Sequence, residues 1–141
     1  MAITQAMCTS FKKELLEAEH DFGVDTFKIA LYTSAASMDA NTTVYSTTNE
    51  VSGTGYSAGG KALTVATGTP SLGGTTAFVS FNNISWASSA ITARGALVYN
   101  SSKANKAVVV IDFGSDITSS GLTFNVNFPS ADSLNAVIRI S

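Results

Sequence analysis

The spacing of apolar residues changes along the chain, and that change most constrains the fold. Near the N-terminus an apolar residue recurs every fourth position, at Ile3, Met7, Phe11 and Leu15. Such spacing places the side chains on one face of a helix. Later in the chain the apolar residues alternate with polar ones, most clearly over residues 122–128. Alternation with period two is typical of β-strands that have one solvent-exposed face and one buried face.

The sequence therefore predicts a mainly β fold with one N-terminal amphipathic helix. The helix is expected over residues 2–22, ending near Gly23, which can adopt the left-handed conformation that ends helices. A β-rich body is expected over residues 26–140, as an antiparallel β-sandwich or a barrel-like domain. The expected strands are 27–32, 62–67, 77–81, 91–99, 107–113, 122–128 and 136–140. The 141 residues are enough for one core, so a single domain over 1–141 is expected.

Two of the expected strands raise the question of what covers them. Residues 107–111 are apolar at every position, so both faces of this strand need a cover. The cover is either the N-terminal helix, which we prefer, or a neighbouring subunit. The C-terminal strand around Ile138 and Ile140 is expected at a sheet edge, where a neighbouring chain can pair with it.

Charge and hydropathy exclude several classes of partner. The formal net charge is −2, with eight basic residues that are scattered along the chain, so nucleic acid is not an expected partner. No apolar run has the length of a membrane span, and a membrane is not expected either. The N-terminal segment lacks the apolar stretch of a signal peptide. Cys8 is the single cysteine, so no intramolecular disulfide can form, which fits synthesis in a reducing cytoplasm.

Residues that commonly perform catalysis are few. His20 is the only histidine and Cys8 the only cysteine. On one continuous helix their spacing corresponds to about 18 Å, so a thiolate–imidazole pair is not expected. We predict a helix-end role for His20 and a packing role for Cys8.

The acidic residues show no spacing that favours a reactive site. Asp112, Asp116 and Asp132 could approach one another and bind calcium, and with Asp39 and Glu50 they are the pool for an acid–base pair. No two of them have a spacing that marks them as partners. We therefore predict turn and cap roles for these residues, with no catalytic residue, no metal site and no cofactor.

Residues 55–61 match seven positions of the phosphate-binding loop G-x-x-x-x-G-K. The eighth position is Ala62, where that motif needs a hydroxyl for magnesium. A strand-like segment follows, whereas a phosphate loop opens a helix. We therefore predict that the glycines of this region serve positive φ angles or close backbone approaches. They are Gly53, Gly55, Gly59 and Gly60.

Residues 2–8, 27–34 and 43–60 resemble a family of small structural proteins of tailed bacteriophages and prophages. The most specific part is the run Asn-Glu-Val-Ser-Gly-Thr-Gly-Tyr over residues 49–56, followed by Ser-Ala-Gly-Gly. The similarity extends over nearly the whole chain. It implies a virion component made in the host cytoplasm, with no agreed catalytic residues to transfer.

The resemblance leads to an expected function. The chain is expected to be a non-enzymatic structural subunit that decorates or stabilises the capsid surface or an attachment point on it. Its expected partners are capsid or tail subunits, with a homo-oligomer or a symmetric array as the assembly. The alternative is a tail- or fibre-associated adhesion component, including a carbohydrate-binding module, because aromatic side chains can stack on sugars. The candidate aromatics are Tyr45, Tyr56, Trp86 and Tyr99, although Trp86 is more simply a core residue.

Overall fold

The computed structural model describes residues 2–141. In chain order its elements are β1 (Ala6–Met7), α1 (Thr9–Leu16), β2 (Phe27–Tyr32), β3 (Lys61–Ala62), β4 (Ser71–Gly73), β5 (Thr76–Val79), β6 (Ile84–Asn100), β7 (Lys106–Val126) and β8 (Ile138–Ile140). They form a five-stranded antiparallel sheet in the order β1-β7-β6-β2-β3 and a three-stranded one in the order β4-β5-β8. This mainly β, sandwich-like arrangement with one short helix confirms the predicted fold class.

The hairpin of β6 and β7 is the longest feature of the molecule. Its pairing runs from Asn100 opposite Lys106 to Ile84 opposite Val126. The predicted strands 107–113 and 122–128 are therefore one strand. Between them residues 117–120 pair with residues 90–93 of β6, and bulges interrupt the ladder around Gly114 and Gly121, which adopt φ angles of 83° and 75°.

The predicted helix over 2–22 is wrong at both ends, because α1 covers only Thr9–Leu16. Before it, Ala6 and Met7 pair with β7, and this ladder satisfies backbone groups that a helix would have used. After it, Ala18 takes a φ of 60° and the chain turns back. Gly23 lies outside the helix end, in a turn where its N–H donates to Asp21 Oδ1.

The strand predicted over 62–67 is also wrong in extent. Only Lys61–Ala62 form β3, and the chain then crosses from one sheet to the other. The Leu63 N–H donates to Phe27 O, while the Ala66 N–H donates to Ser80 O. Strand β4 lies between the predicted strands 62–67 and 77–81, where no strand was predicted, and β8 lies at the edge of its sheet, as predicted.

The core lies between the sheets and under α1. Residues 107–110 are buried within the chain itself. The fully buried Phe11 lies on α1, which packs on β7, and this confirms the predicted helix cover. Strand β2 differs from its prediction, since both of its faces are largely buried and neither is exposed to solvent. No helix within residues 2–141 is long and apolar enough to cross a membrane.

Candidate functional site

The segment 49–60, which carries the most specific sequence signature, lies along the outer edge of β2. The Thr33 N–H donates to Asn49 O at 3.0 Å, and the Val51 N–H donates to Leu31 O at 2.9 Å. Glu50 lies between these two bonds and is half-buried. The segment is thus an addition to the five-stranded sheet.

The Glu50 carboxylate is the centre of a hydrogen-bond network. Its Oε1 accepts from the Tyr45 hydroxyl at 2.6 Å, and its Oε2 accepts from the Tyr56 hydroxyl and the Gly59 N–H, each at 2.7 Å. Hydrogen bonds to an ionised acceptor are among the strongest in proteins. The carboxylate therefore ties together three points of the segment 45–59.

All four tyrosines of the chain gather around this carboxylate, and we call Tyr32, Tyr45, Tyr56 and Tyr99 the tyrosine cluster. The Tyr99 hydroxyl donates to Gly59 O at 2.7 Å, and the Tyr45 and Tyr99 rings stack at 4.7 Å. The Tyr32 hydroxyl donates to Ser46 O at 2.6 Å. Burial, and then the negative charge of Glu50, raises the pKa of all four phenols above its usual value.

Gly60 lies where two backbones almost touch. It has a φ of 73°, and a Cβ built there would lie 1.7 Å from Ile29 O. A Cβ on Gly53 would lie 2.6 Å from Ala90 O, and Gly55 and Gly59 have φ angles of 83° and 94°. The predicted backbone roles of these four glycines are confirmed.

The same geometry leaves no cradle for a phosphate group in residues 55–61. The Gly59 N–H donates to Glu50, so a carboxylate of the chain takes the place an anion would need. Lys61 starts the short strand β3, and its Nζ lies 5.6 Å from the Trp86 ring centroid. The near-match to a phosphate loop therefore reflects a tight connection between strands.

A second buried polar group, which we call the polar clasp, consists of Glu14, His20, Asp25 and Asn100. Asn100 Nδ2 donates to Asp25 Oδ2 at 2.8 Å and lies 3.0 Å from His20 Nδ1. The Asn100 Oδ1 accepts from the Ser102 N–H at 3.0 Å, so both amide hydrogens point towards Asp25 and His20. His20 Nδ1 is then an acceptor, and a neutral ring carries its proton on Nε2, 2.8 Å from Glu14 Oε1.

A positive charge from outside the clasp lies next to Asp25. Lys103, in the turn between β6 and β7, lies 3.5 Å from Asp25 Oδ2. Burial opposes the charge of Asp25, but hydrogen bonds from the Asp21 N–H and Asn100 outweigh it and hold the pKa of this carboxyl below its usual value. The clasp thus joins the turn after α1 to the end of the β6–β7 hairpin.

Cys8 is fully buried at the start of α1. Burial, and then the charges of Glu14 and Asp39, raises the pKa of its thiol to about 11. The expected 18 Å separation from His20 depended on a continuous helix, and that premise is wrong. The chain turns back after α1, and the His20 ring packs on Phe11 at 4.8 Å. Burial therefore favours the protonated thiol over the thiolate.

Three of the acidic residues accept hydrogen bonds from backbone N–H groups within their own turns. The N–H groups of Leu134 and Asn135 donate to Asp132, that of Asn41 to Asp39, and that of Gly114 to Asp112. These contacts confirm the predicted turn roles for those three residues. In the part of the chain that the structure describes, no three His, Cys, Asp or Glu side chains are placed to hold a metal ion.

The aromatic residues proposed for sugar stacking lie inside the fold. Trp86 is 2% exposed and packs edge-on against Phe124 at 6.2 Å, so its predicted core role is confirmed. Tyr99 is buried, and Tyr45 and Tyr56 are half-buried with their hydroxyls bonded to Glu50. Trp86 and Tyr99 are therefore buried away from any sugar, and one face of the Tyr45 ring is already stacked on Tyr99.

Sequence reasoning missed both polar groups, for different reasons. Glu50 lies within the signature run, which could have marked it. The partnership of His20 with Asn100 spans 80 positions, and no local pattern predicts it. Comparison with protein-family models, with curated proteins and with solved structures gives no match.

Proposed function

We propose that the protein is a non-enzymatic structural subunit of a tailed-phage virion, which decorates or stabilises the capsid surface or an attachment point on it. The observation that carries the proposal is how the fold uses the signature segment. Glu50, Tyr56 and Gly59 bind one another, so the residues that carry the resemblance shape a loop. The chain is made in the host cytoplasm and incorporated into the particle.

The outward side of this loop suits contact with another protein. Residues 52–55 together with Ser57 and Ala58 are exposed, and we call them the contact loop. All are small, so they lose little side-chain entropy when a partner covers them. Glycine turns and the Glu50 carboxylate fix the backbone in advance, which reduces the cost of ordering the loop on binding. The partner is a capsid or tail subunit, and repeated particle sites give a symmetric array.

Particle binding tests this proposal. Phage particles assembled without the protein should take up the purified chain, and Ser57→Arg should reduce uptake by about tenfold or more, because it places a long charged side chain on the contact loop. The matched control is Ser130→Arg, also at an exposed serine, which should bind as the wild type does.

Two results would contradict the proposal. One is a folded wild-type chain that does not bind such particles. The other is specific binding to glycans with no particle uptake, which would favour the adhesion alternative. Electron microscopy with antibody labelling then distinguishes a capsid position from a tail or fibre position.

A further inference from the structure

Several strand edges in this molecule are covered by the chain itself. The outer edge of β2 is covered by residues 49–51 and 61–63, as the bonds from Val51 N–H to Leu31 O and from Leu63 N–H to Phe27 O show. Residues 80–82, which follow β5, are covered in the same way by residues 64–66. A covered edge cannot pair with another chain.

Strand β7 has a long uncovered edge, and in the described part of the chain the outer side of β6 before Gly95 is paired only at Ala90, which bonds to Thr54. On the outer side of β7, strand β1 pairs only with Val109 and Val110, and the Asp112 N–H donates to Gln5 Oε1. Over residues 117–126, which we call the free edge, the structure of residues 2–141 shows backbone pairing to β6 alone. Backbone donors and acceptors on the outer side of the free edge are therefore open to a further strand.

The free edge lacks the charges that usually protect such strands. No charged residue occurs between Asp116 and Asp132. Of the four short edge strands, β3 and β8 each carry a basic residue, Lys61 and Arg139, whereas β1 and β4 carry none. Lysine, arginine or proline at an edge discourages pairing with another chain. The bulge at Gly121 interrupts the free edge, but residues 124–126 pair with β6 in regular register.

The exposure of Leu122 is an independent indication that another chain covers this edge. Leu122, Phe124 and Val126 are spaced two residues apart, which places their side chains on one face of β7. Phe124 is 2% exposed and Val126 is 5% exposed, whereas Leu122 is 73% exposed. The apolar row thus extends past the core of a single chain into solvent.

We propose that the free edge pairs antiparallel with the same edge of a second copy of this chain, and that the pairing buries Leu122. A two-fold axis through the free edge would place this run of residues against itself. Because the run is uncharged, every such register opposes neutral residues, and no like charges meet. The inference names a partner surface for the proposed structural role and rests on that role for its biological use.

Sedimentation of the purified full-length chain tests the pairing directly. The wild type should form a concentration-dependent dimer, and Leu122→Lys should weaken the dimer by about tenfold or more, because it places a charge on each side of the axis. The control is Leu72→Lys, at a leucine of strand β4 that is 76% exposed, and it should leave the dimer unchanged. Both leucines are exposed, so at a protein concentration low enough for the wild type to be monomeric both variants should keep its unfolding midpoint.

Hydrogen exchange gives a second measurement that does not depend on a variant. Amides of residues 117–126 should exchange more slowly at high protein concentration than at low concentration. A wild type that stays monomeric, or a dimer that Leu72→Lys breaks and Leu122→Lys does not, would overturn the inference. If a monomeric wild type is taken up by the particles, the proposed structural role still holds, and only the pairing of two copies at the free edge is contradicted.

Discussion

At the scale of single residues, Gly60 is the glycine at which an added side chain would meet the nearest backbone atom. Its φ of 73° is unfavourable for other residues, and its missing side chain lets Ile29 O approach. Gly60→Ala should lower the free energy of unfolding by more than about 3 kcal/mol, because strain and a backbone clash add together. Chemical denaturation of the purified variant measures this loss.

Gly68 is the matched control for that substitution. It has a similar φ of 81°, but a Cβ there would meet nothing within 4 Å. Gly68→Ala should therefore cost only the left-handed conformation, about 1–2 kcal/mol. Equal losses for the two variants would show that the close approach to Ile29 contributes nothing.

At the scale of elements, the polar clasp explains how the turn after α1 is held. Asn100 contributes hydrogen bonds to Asp25, His20 and Ser102. Asn100→Ala should lower the free energy of unfolding by about 2–4 kcal/mol, because it leaves buried polar atoms without partners. Thermal or chemical unfolding measures the loss.

The control for the clasp is Asn82→Ala, at an exposed asparagine, where a change within about 0.5 kcal/mol is expected. Nitrogen chemical shifts of His20 provide an independent check. In the wild type the neutral ring should carry its proton on Nε2, and a proton on Nδ1 would contradict the described orientation of the Asn100 amide.

The strands and the helix also show which structural features a local sequence pattern can predict. Alternation predicted the strand character of residues 27–32 and 122–128 because each side chain faces one side of a sheet. It could not predict the true length of α1. Met7 and Phe11 have helical spacing, but Met7 pairs with Val109, more than a hundred positions away. Long-range pairing of this kind overrides a local helical pattern.

The site was predictable only in part, for a similar reason. The glycines of the signature segment could be assigned backbone roles, since few other residues explain such a cluster. The hydrogen-bond donors to Glu50 could not be predicted, because Tyr45 and Gly59 come close to its carboxylate only when the loop is folded.

At the scale of the whole molecule, the chain should be sensitive to alkali. All four tyrosines have a raised pKa in the folded state, and the pKa of Cys8 is raised to about 11. In the unfolded chain the phenols lose their protons near pH 10 (about their usual pKa) and the thiol somewhat lower. The unfolded state then binds fewer protons than the folded one, so stability falls as pH rises above about 9.

Absorbance of ionised tyrosine, followed together with circular dichroism, checks this expectation. Tyrosine ionisation should coincide with the loss of structure in one cooperative step. The full contribution of these groups should be present at neutral pH. Phenols that titrate near pH 10 (about the usual value) in a folded chain would contradict the described burial.

The pairing of β1 with Val109 and Val110 of β7 also has a consequence for biosynthesis. A ribosome makes β1 and α1 before β7, and their binding surface appears only about a hundred residues later, roughly 5–20 s at typical rates of synthesis. During that interval the apolar face of α1 has no β7 to cover it. The segment of β1 and α1 is therefore open to chaperones and proteases until β7 has been made.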